Sequence, residues 1–176
     1  MAFVRPEEVI KQIGIEPGMV VADFGAGSGH YSIAAAKIVR NTGKVYSVDI
    51  QKELLGAIKS TANLNNLSNV EIVWSDLESR EGSRLADNSV NVIIISNILF
   101  QVENKEVLLK EAIRILKEDG KLAVIEWEKE KSKMGPPLEK RISKNECQEI
   151  FKNIGFNLKK EFTAGENHYG LIFIKR

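Results

Sequence analysis

The stretch VVADFGAGSGHYS, residues 20–32, decides the fold. An apolar, strand-like run stops at Asp23-Phe24 and enters Gly25, Gly27 and Gly29 at alternate positions. Glycines so placed let the main chain take positive φ and approach a ligand closely. In an open α/β sheet, ligands bind at the carboxyl ends of strands, where the strand order reverses. A tight strand-to-helix turn without a ligand is the simpler alternative.

Outward from this stretch, strand and helix alternate. PEEVIKQIG reads as a first helix, with proline in its first turn and Gly14 as its stop. After VVADF come a helix in HYSIAAAKIVRN, a strand in KVYSVD and a helix in KELLGAIKSTANLN that Gly56 weakens. A third strand, NVEIVWSD, ends near Asp76, and SVNVIIIS is a fourth. The amphipathic helix NKEVLLKEAIRILK closes at EDG, and KLAVIEWE is a fifth strand. Apolar runs in the fourth and fifth strands predict a parallel sheet buried on both faces, hence a doubly wound α/β fold. KSKMGPPLEKRIS reads as a loop, and SKNECQEIFKNIG as a helix opened by the capping box Ser143/Glu146. FNLKKEFTA and YGLIFIKR are joined by only GENH, too short for a crossover, so they are expected to be antiparallel. No linker divides residues 1–176, so one domain is expected.

Composition narrows the function. Of the 176 residues, 43% are hydrophobic and 28% charged, and the net charge of +1 gives no strong field toward nucleic acid or membranes. The one cysteine, Cys147, excludes an internal disulfide and a cysteine-rich zinc site, and no metal site is expected. No run is long enough to span a bilayer, and the charged start MAFVRPEEVIKQIG does not read as a signal peptide. A cytoplasmic protein is the expectation.

Three acids at successive strand ends point to the ligand. The glycine spacing is G-x-G-x-G, not the dinucleotide G-x-G-x-x-G, and the Gly-Lys-Ser/Thr of a phosphate loop is absent. Asp23 would repel a diphosphate and attract an ammonium. Asp49, after the second strand, suits both hydroxyls of a ribose, or else serves as an N-cap before QKELL. By itself it does not separate NAD from another adenosine ligand. Asp76 lies where an adenine amine would fall, with the Leu77 amide beside it; the alternative is a solvated loop acid.

Taken together, VADFGAGSG, VYSVD, SDLE, DNSVNVIIISNILFQV and LLKEAIRILKEDGKLAVIEW resemble the class I S-adenosylmethionine-dependent methyltransferases along almost the whole chain. Small relatives of the ubiquinone/menaquinone-biosynthesis and arsenite methyltransferases are the nearest in appearance. The resemblance implies a Rossmann-like seven-stranded sheet, mostly parallel, with a C-terminal antiparallel hairpin, and S-adenosylmethionine as cofactor. It implies that Gly25, Ala26 and Gly27 line the methionine portion, with Asp23 near its amino group. Asp49 would bind the ribose and Ile50 the adenine face, while Asp76 and Leu77 read the adenine edge. The Ser96 carbonyl would meet the methionine amine, and Asn97 would begin the substrate side.

Methyl transfer from a sulfonium needs in-line positioning more than a fixed triad, so no catalytic residue is assigned. His30 and Tyr31 either face the pocket or simply close over it. Trp127 is a pocket wall or a core residue. Arg141 faces an anionic or planar substrate or is a solvated loop residue. His168, in the last turn, is expected to be exposed, and Cys147 to lie on a surface helix. The N-terminal helix and the KSKMGPPLEKRIS loop are the available covers. Lacking several cysteines, the chain does not suit arsenite chemistry, and SNILFQV replaces the Asn-Pro-Pro-Tyr of nucleic-acid amino-methylating enzymes. The expected acceptor is a small molecule, with nucleic acid and membrane disfavoured. The acceptor site is open or finished by a second subunit, so a homo-oligomer remains an alternative. A non-catalytic S-adenosylmethionine-binding regulatory module is the competing function, and a nicotinamide oxidoreductase a third.

Overall fold

The computed structural model describes residues 5–129 and 134–176. Residues 1–4 of the charged start and 130–133, which open the covering-loop stretch, lie outside the described residues. The elements in order are α1 (Pro6–Ile13), β1 (Val20–Phe24), α2 (His30–Val39), β2 (Lys44–Asp49), α3 (Lys52–Leu64), β3 (Val70–Trp74), β4 (Val90–Ser96), α4 (Lys105–Ile115), β5 (Leu116–Trp127), α5 (Lys144–Ile154), β6 (Phe156–Thr163) and β7 (His168–Lys175). They build one seven-stranded sheet in the order β3-β2-β1-β4-β5-β7-β6. Strands β1 to β5 run parallel, and β7 pairs antiparallel with both β5 and β6. The order reverses between β1 and β4, which puts a crevice at their carboxyl ends.

Both faces of the sheet are covered. Val9, Ile10 and Ile13 of α1, Ala34 to Ala36 of α2 and Leu55, Ile58 and Ala62 of α3 pack on one face with Val21, Val92 and Ile94. On the other, Leu108, Leu109 and Ala112 of α4 and Cys147 and Phe151 of α5 pack with Ala22, Ile93 and Ile95. Residues 92–95 thus alternate between two apolar layers, which is why β4 reads as an unbroken apolar run.

Local signals explain most element ends. Gly14 stops α1 at φ 73°, and its amide bonds back to Ile10 and Lys11. The Ser143/Glu146 capping box opens α5 as read from the sequence, and it holds the Glu146 carboxyl down at about 2. Helix α4 is shorter than its pattern. It ends at Ile115, where Leu116 pairs with Val90, and the ladder resumes at Val92 and Lys121, so Lys117 to Gly120 stand opposite Asn91. The Asn91 carboxamide oxygen accepts from the Val20 amide and Lys117 Nζ, stapling β4 to β1 and this insertion.

Several expectations change. Helix α1 is a core helix, and its described residues take no part in covering the cleft. Cys147 is fully buried on the inner face of α5, and burial pushes its thiol up to about 12. His168 opens β7 and is 8% exposed. Its ring lies 4.1 Å from that of Trp127, its Nε2 has no partner among the described residues, and burial beside Arg141 lowers it to about 4.

Candidate functional site

The main chain carries β1 straight into the glycine turn. The amides of Gly25 and Ala26 both donate to the Val48 carbonyl at 2.8 and 3.0 Å, so the turn leans over the end of β2. All three glycines have positive φ, at 68°, 53° and 77°. They differ in what forbids a side chain. A Cβ on Gly25 would lie 2.6 Å from Ile98, and one on Gly29 would lie 2.5 Å from Ile58, so these glycines are demanded by the protein's own packing. A Cβ on Gly27 would find only the Gly25 carbonyl, at 3.9 Å. Gly27 alone of the three keeps its main chain bare toward open space.

That space is a cleft of about 510 Å³ at the crevice between β1 and β4. Asp23, Gly25, Ala26, Gly27, Asp49, Ile50, Asp76, Leu77, Ser96 and Asn97 all line it, so ten of the residues singled out in the sequence converge. His30 and Tyr31 line it as well. Trp127 and Arg141 do not. The Arg141 guanidinium is neither solvated nor aimed at the cleft. It is buried, donates to the carbonyls of Glu128, Met134 and Pro136, and lies 5.6 Å from the Trp127 ring. Gly135 presses on that ring so closely that an added Cβ would lie 2.7 Å away. Arg141 and Trp127 therefore fasten the loop to the tips of β5 and β7.

Asp49 is held in register by main chain. Its Oδ2 accepts from the Gly27 amide and its Oδ1 from the Gln51 amide, both at 2.9 Å. It is not the helix cap, which is Gln51. A carboxylate oxygen has a second acceptor position, so Asp49 keeps capacity toward the cleft while tying the glycine turn to β2. Asp76 shapes the turn after β3: its Oδ1 accepts from the Glu78 amide, and its carbonyl accepts from Ser79. Strand β3 stops at Trp74, so Asp76 is a turn acid and not a strand end.

Asp23 is 2% exposed, and its Oδ2 accepts from Ser32 Oγ at 2.6 Å. Ser47 Oγ in turn donates to Ser32 Oγ at 2.7 Å. Burial raises the Asp23 carboxyl to about 6, the Ser32 bond offsetting part of that and the Asp49 charge adding to it. A cation brought beside this carboxyl would favour its ionised form. Near it, burial raises the Tyr31 hydroxyl beyond the ordinary phenol range, so it stays neutral beside Ser96. Tyr31 Oη and Asn97 Oδ1 are both buried without a hydrogen-bond partner of ordinary geometry among the described residues. Asn97 also holds φ 55°, a conformation non-glycine residues seldom adopt.

The sequence reading missed the relay behind Asp23. Serines on the buried faces of α2 and β2 were the available signal. It also missed the wall formed by Ile98, Gln101, Val102 and Leu108, where apolar residues after β4 looked like ordinary core.

The arrangement fits an adenosine ligand with a cationic amino-acid end: a buried carboxyl at the tip of β1, open space over Gly27, and a carboxylate at the neighbouring strand tip. Comparison with known proteins agrees. The description of a methyltransferase domain matches residues 15–166. The ubiquinone/menaquinone biosynthesis C-methyltransferase UbiE of Hydrogenovibrio crunogenus is 34% identical over 120 residues, 68% of this chain and 46% of that protein. UbiE of Haemophilus ducreyi is 32% identical over 117 residues, 66% of this chain and 44% of that protein. The chain thus spans about half the length of these curated relatives. A crystal structure of a SAM-dependent methyltransferase from Aquifex aeolicus superposes with a TM-score of 0.90 at 30% identity, over 99% of this chain and 91% of that one. Fold, crevice and comparisons together place this chain in the methyltransferase domain family, among the class I S-adenosylmethionine-dependent members.

Proposed function

We propose that this chain, as one domain acting in the cytoplasm, binds S-adenosylmethionine in the β1–β4 cleft and transfers its methyl group to a small-molecule acceptor. One observation carries the reading: Asp23 and Asp49 bring two carboxyls, and Gly27 an unobstructed main chain, to one cleft at the strand tips, the set an adenosine ligand with a cationic end requires. When bound, the cofactor supplies an electrophilic methyl on a sulfonium. The chain's own residues bind and orient. Asp23, with the Ser96 carbonyl, takes the ammonium end; Gly25, Ala26 and Gly27 line the methionine portion, Gly27 with bare main chain; Asp49 grips the ribose; Ile50, Asp76 and Leu77 receive the adenine. Asn97 begins the acceptor side. Orientation of this kind supplies the acceleration; methylation at a ring carbon also releases that carbon's proton, to solvent, once the new bond has formed.

The relatives named as quinone C-methyltransferases favour an electron-rich aromatic ring as the first acceptor class to test. Cys147 is too deeply buried to hold a metalloid, which weighs against arsenite. Calorimetry with S-adenosylmethionine, S-adenosylhomocysteine and NAD tests the binding, and S-adenosylhomocysteine release against a panel of hydroquinones and phenols tests the reaction. Micromolar binding of the first two, without NAD, is expected. NAD binding alone refutes the reading, and cofactor binding with no release from any acceptor class favours the regulatory alternative.

A further inference from the structure

The cleft wall after β4 is irregular chain, and something must hold it. Asn97 has left-handed backbone, its amide donating to the Ile125 carbonyl at 2.9 Å. One turn follows, in which the amides of Gln101 and Val102 donate to the Ile98 carbonyl at 3.0 and 3.1 Å. Asn97, Ile98, Gln101 and Val102 face the cleft, and Ile98 fills the space above Gly25. Behind this wall stands Glu126, at the end of β5 and 1% exposed. Its Oε1 accepts from the Leu99 amide at 2.8 Å, and it does not line the cleft.

We infer that Glu126 is a positioning residue: its carboxyl clamps the main chain of the Asn97–Val102 wall and so fixes Asn97 and Ile98 against the cofactor and acceptor. A carboxyl there is costly to bury, and an apolar residue would pack as well against the Leu99 side if only packing mattered. What an apolar residue cannot do is hold amides of a segment outside any helix or strand ladder. Three charged or titratable neighbours face it: Lys105 on α4, which favours its ionised form, and Cys147 on α5 and Tyr169 on β7, both raised and neutral. Burial lifts Glu126 itself to about 7, against the pull of its amide donors. The clamp is therefore tighter in the ionised form, because a charged acceptor bonds amides more strongly.

The inference rests on the proposed function for its catalytic consequence, but its geometry can be tested without it. The comparison uses Glu126→Gln, which keeps an acceptor oxygen, and Glu126→Leu, which removes it. In amide exchange followed by NMR, Leu99 protection is expected to fall at least tenfold in Glu126→Leu and to stay within threefold of wild type in Glu126→Gln. The Leu99 amide shift should titrate near pH 7 in wild type and not in Glu126→Gln. With S-adenosylhomocysteine, Glu126→Leu should bind at least tenfold more weakly, with affinity rescued in Glu126→Gln. Wild-type Leu99 protection and affinity in a folded Glu126→Leu would overturn the assignment. If Glu126→Leu does not fold, a titration of Leu99 that persists in Glu126→Gln overturns it instead. Failure of the wild type to bind S-adenosylhomocysteine refutes the proposed function, and Leu99 exchange still decides the clamp.

Discussion

Changing Gly27 to alanine separates what a ligand requires from what the fold requires. At φ 53° an L-residue pays for the left-handed backbone, about 1–2 kcal/mol. Nothing further is owed to the protein, because the added Cβ meets only the Gly25 carbonyl at 3.9 Å, an ordinary contact. The bond from the Gly27 amide to the Asp49 carboxylate uses no side chain of residue 27 and survives. The melting temperature should therefore drop by roughly 2–8 °C, taking about 2–4 °C per kcal/mol for a domain of this size. Binding should suffer more, since the methyl projects into the cleft. At least about tenfold weaker S-adenosylhomocysteine binding, or 1.4 kcal/mol, is expected by calorimetry. Gly29→Ala is the opposite control. Its Cβ would lie 2.5 Å from Ile58, so it pays overpacking of about 1–3 kcal/mol as well as backbone strain, and Gly29 does not line the cleft. A Gly27→Ala protein that binds the ligand as tightly as wild type would mean that no ligand rests on this turn.

Other perturbations follow from the same geometry. Asp49→Ala should lose about 1.5–3 kcal/mol of cofactor affinity per charge-assisted bond and some stability as well, while Asp49→Asn should fall between, since one oxygen remains; an unchanged calorimetric affinity in Asp49→Ala would place the ribose elsewhere. Asp23 is a raised carboxyl, so its ionisation opposes folding: ligand-free stability is lost as pH rises from about 4 through about 6. His168, depressed to about 4, acts in the opposite sense, losing stability as pH falls below its unfolded value, so the informative quantity is wild type minus Asp23→Asn in urea melts. That difference should fall by about 2 kcal/mol between pH 4 and 7 and be flat above, and a flat difference throughout would show that Asp23 is not raised. Gly56→Ala should stabilise by about 0.5–1 kcal/mol, since Gly56 lies within α3 and an added Cβ meets nothing within 4 Å; a lower melting temperature would contradict this.

The sequence made the alternation of elements legible because periodicity and punctuation are local. Gly14 and the capping box at Ser143 each act on residues a few positions away. The parallel layers of β4 were legible for the same reason. What stayed hidden depends on distant partners. Arg141 is anchored by three carbonyls, which carry no sequence signature. Cys147 is buried because α5 turns that face onto the sheet, and His168 because Trp127 and Arg141 lie beside it. Gly25 and Gly29 looked like ligand-facing glycines, yet their need is set by Ile98 and Ile58, both far along the chain. Glu111 is another hidden case: it is buried at 4% exposure and, besides its neighbour Arg114 on the same helix, accepts from Ser83 on a distant segment.

Strand β7 lies between β5 and β6, although it is made after both. As the chain leaves the ribosome, β6 has no neighbour to bond until β7 arrives, and the outer edge of β5 stands open for the same interval. The two gaps close together, when residues 168–175 insert and complete both ladders. A nascent chain halted before that point should be the form that chaperones hold and that associates with its own copies.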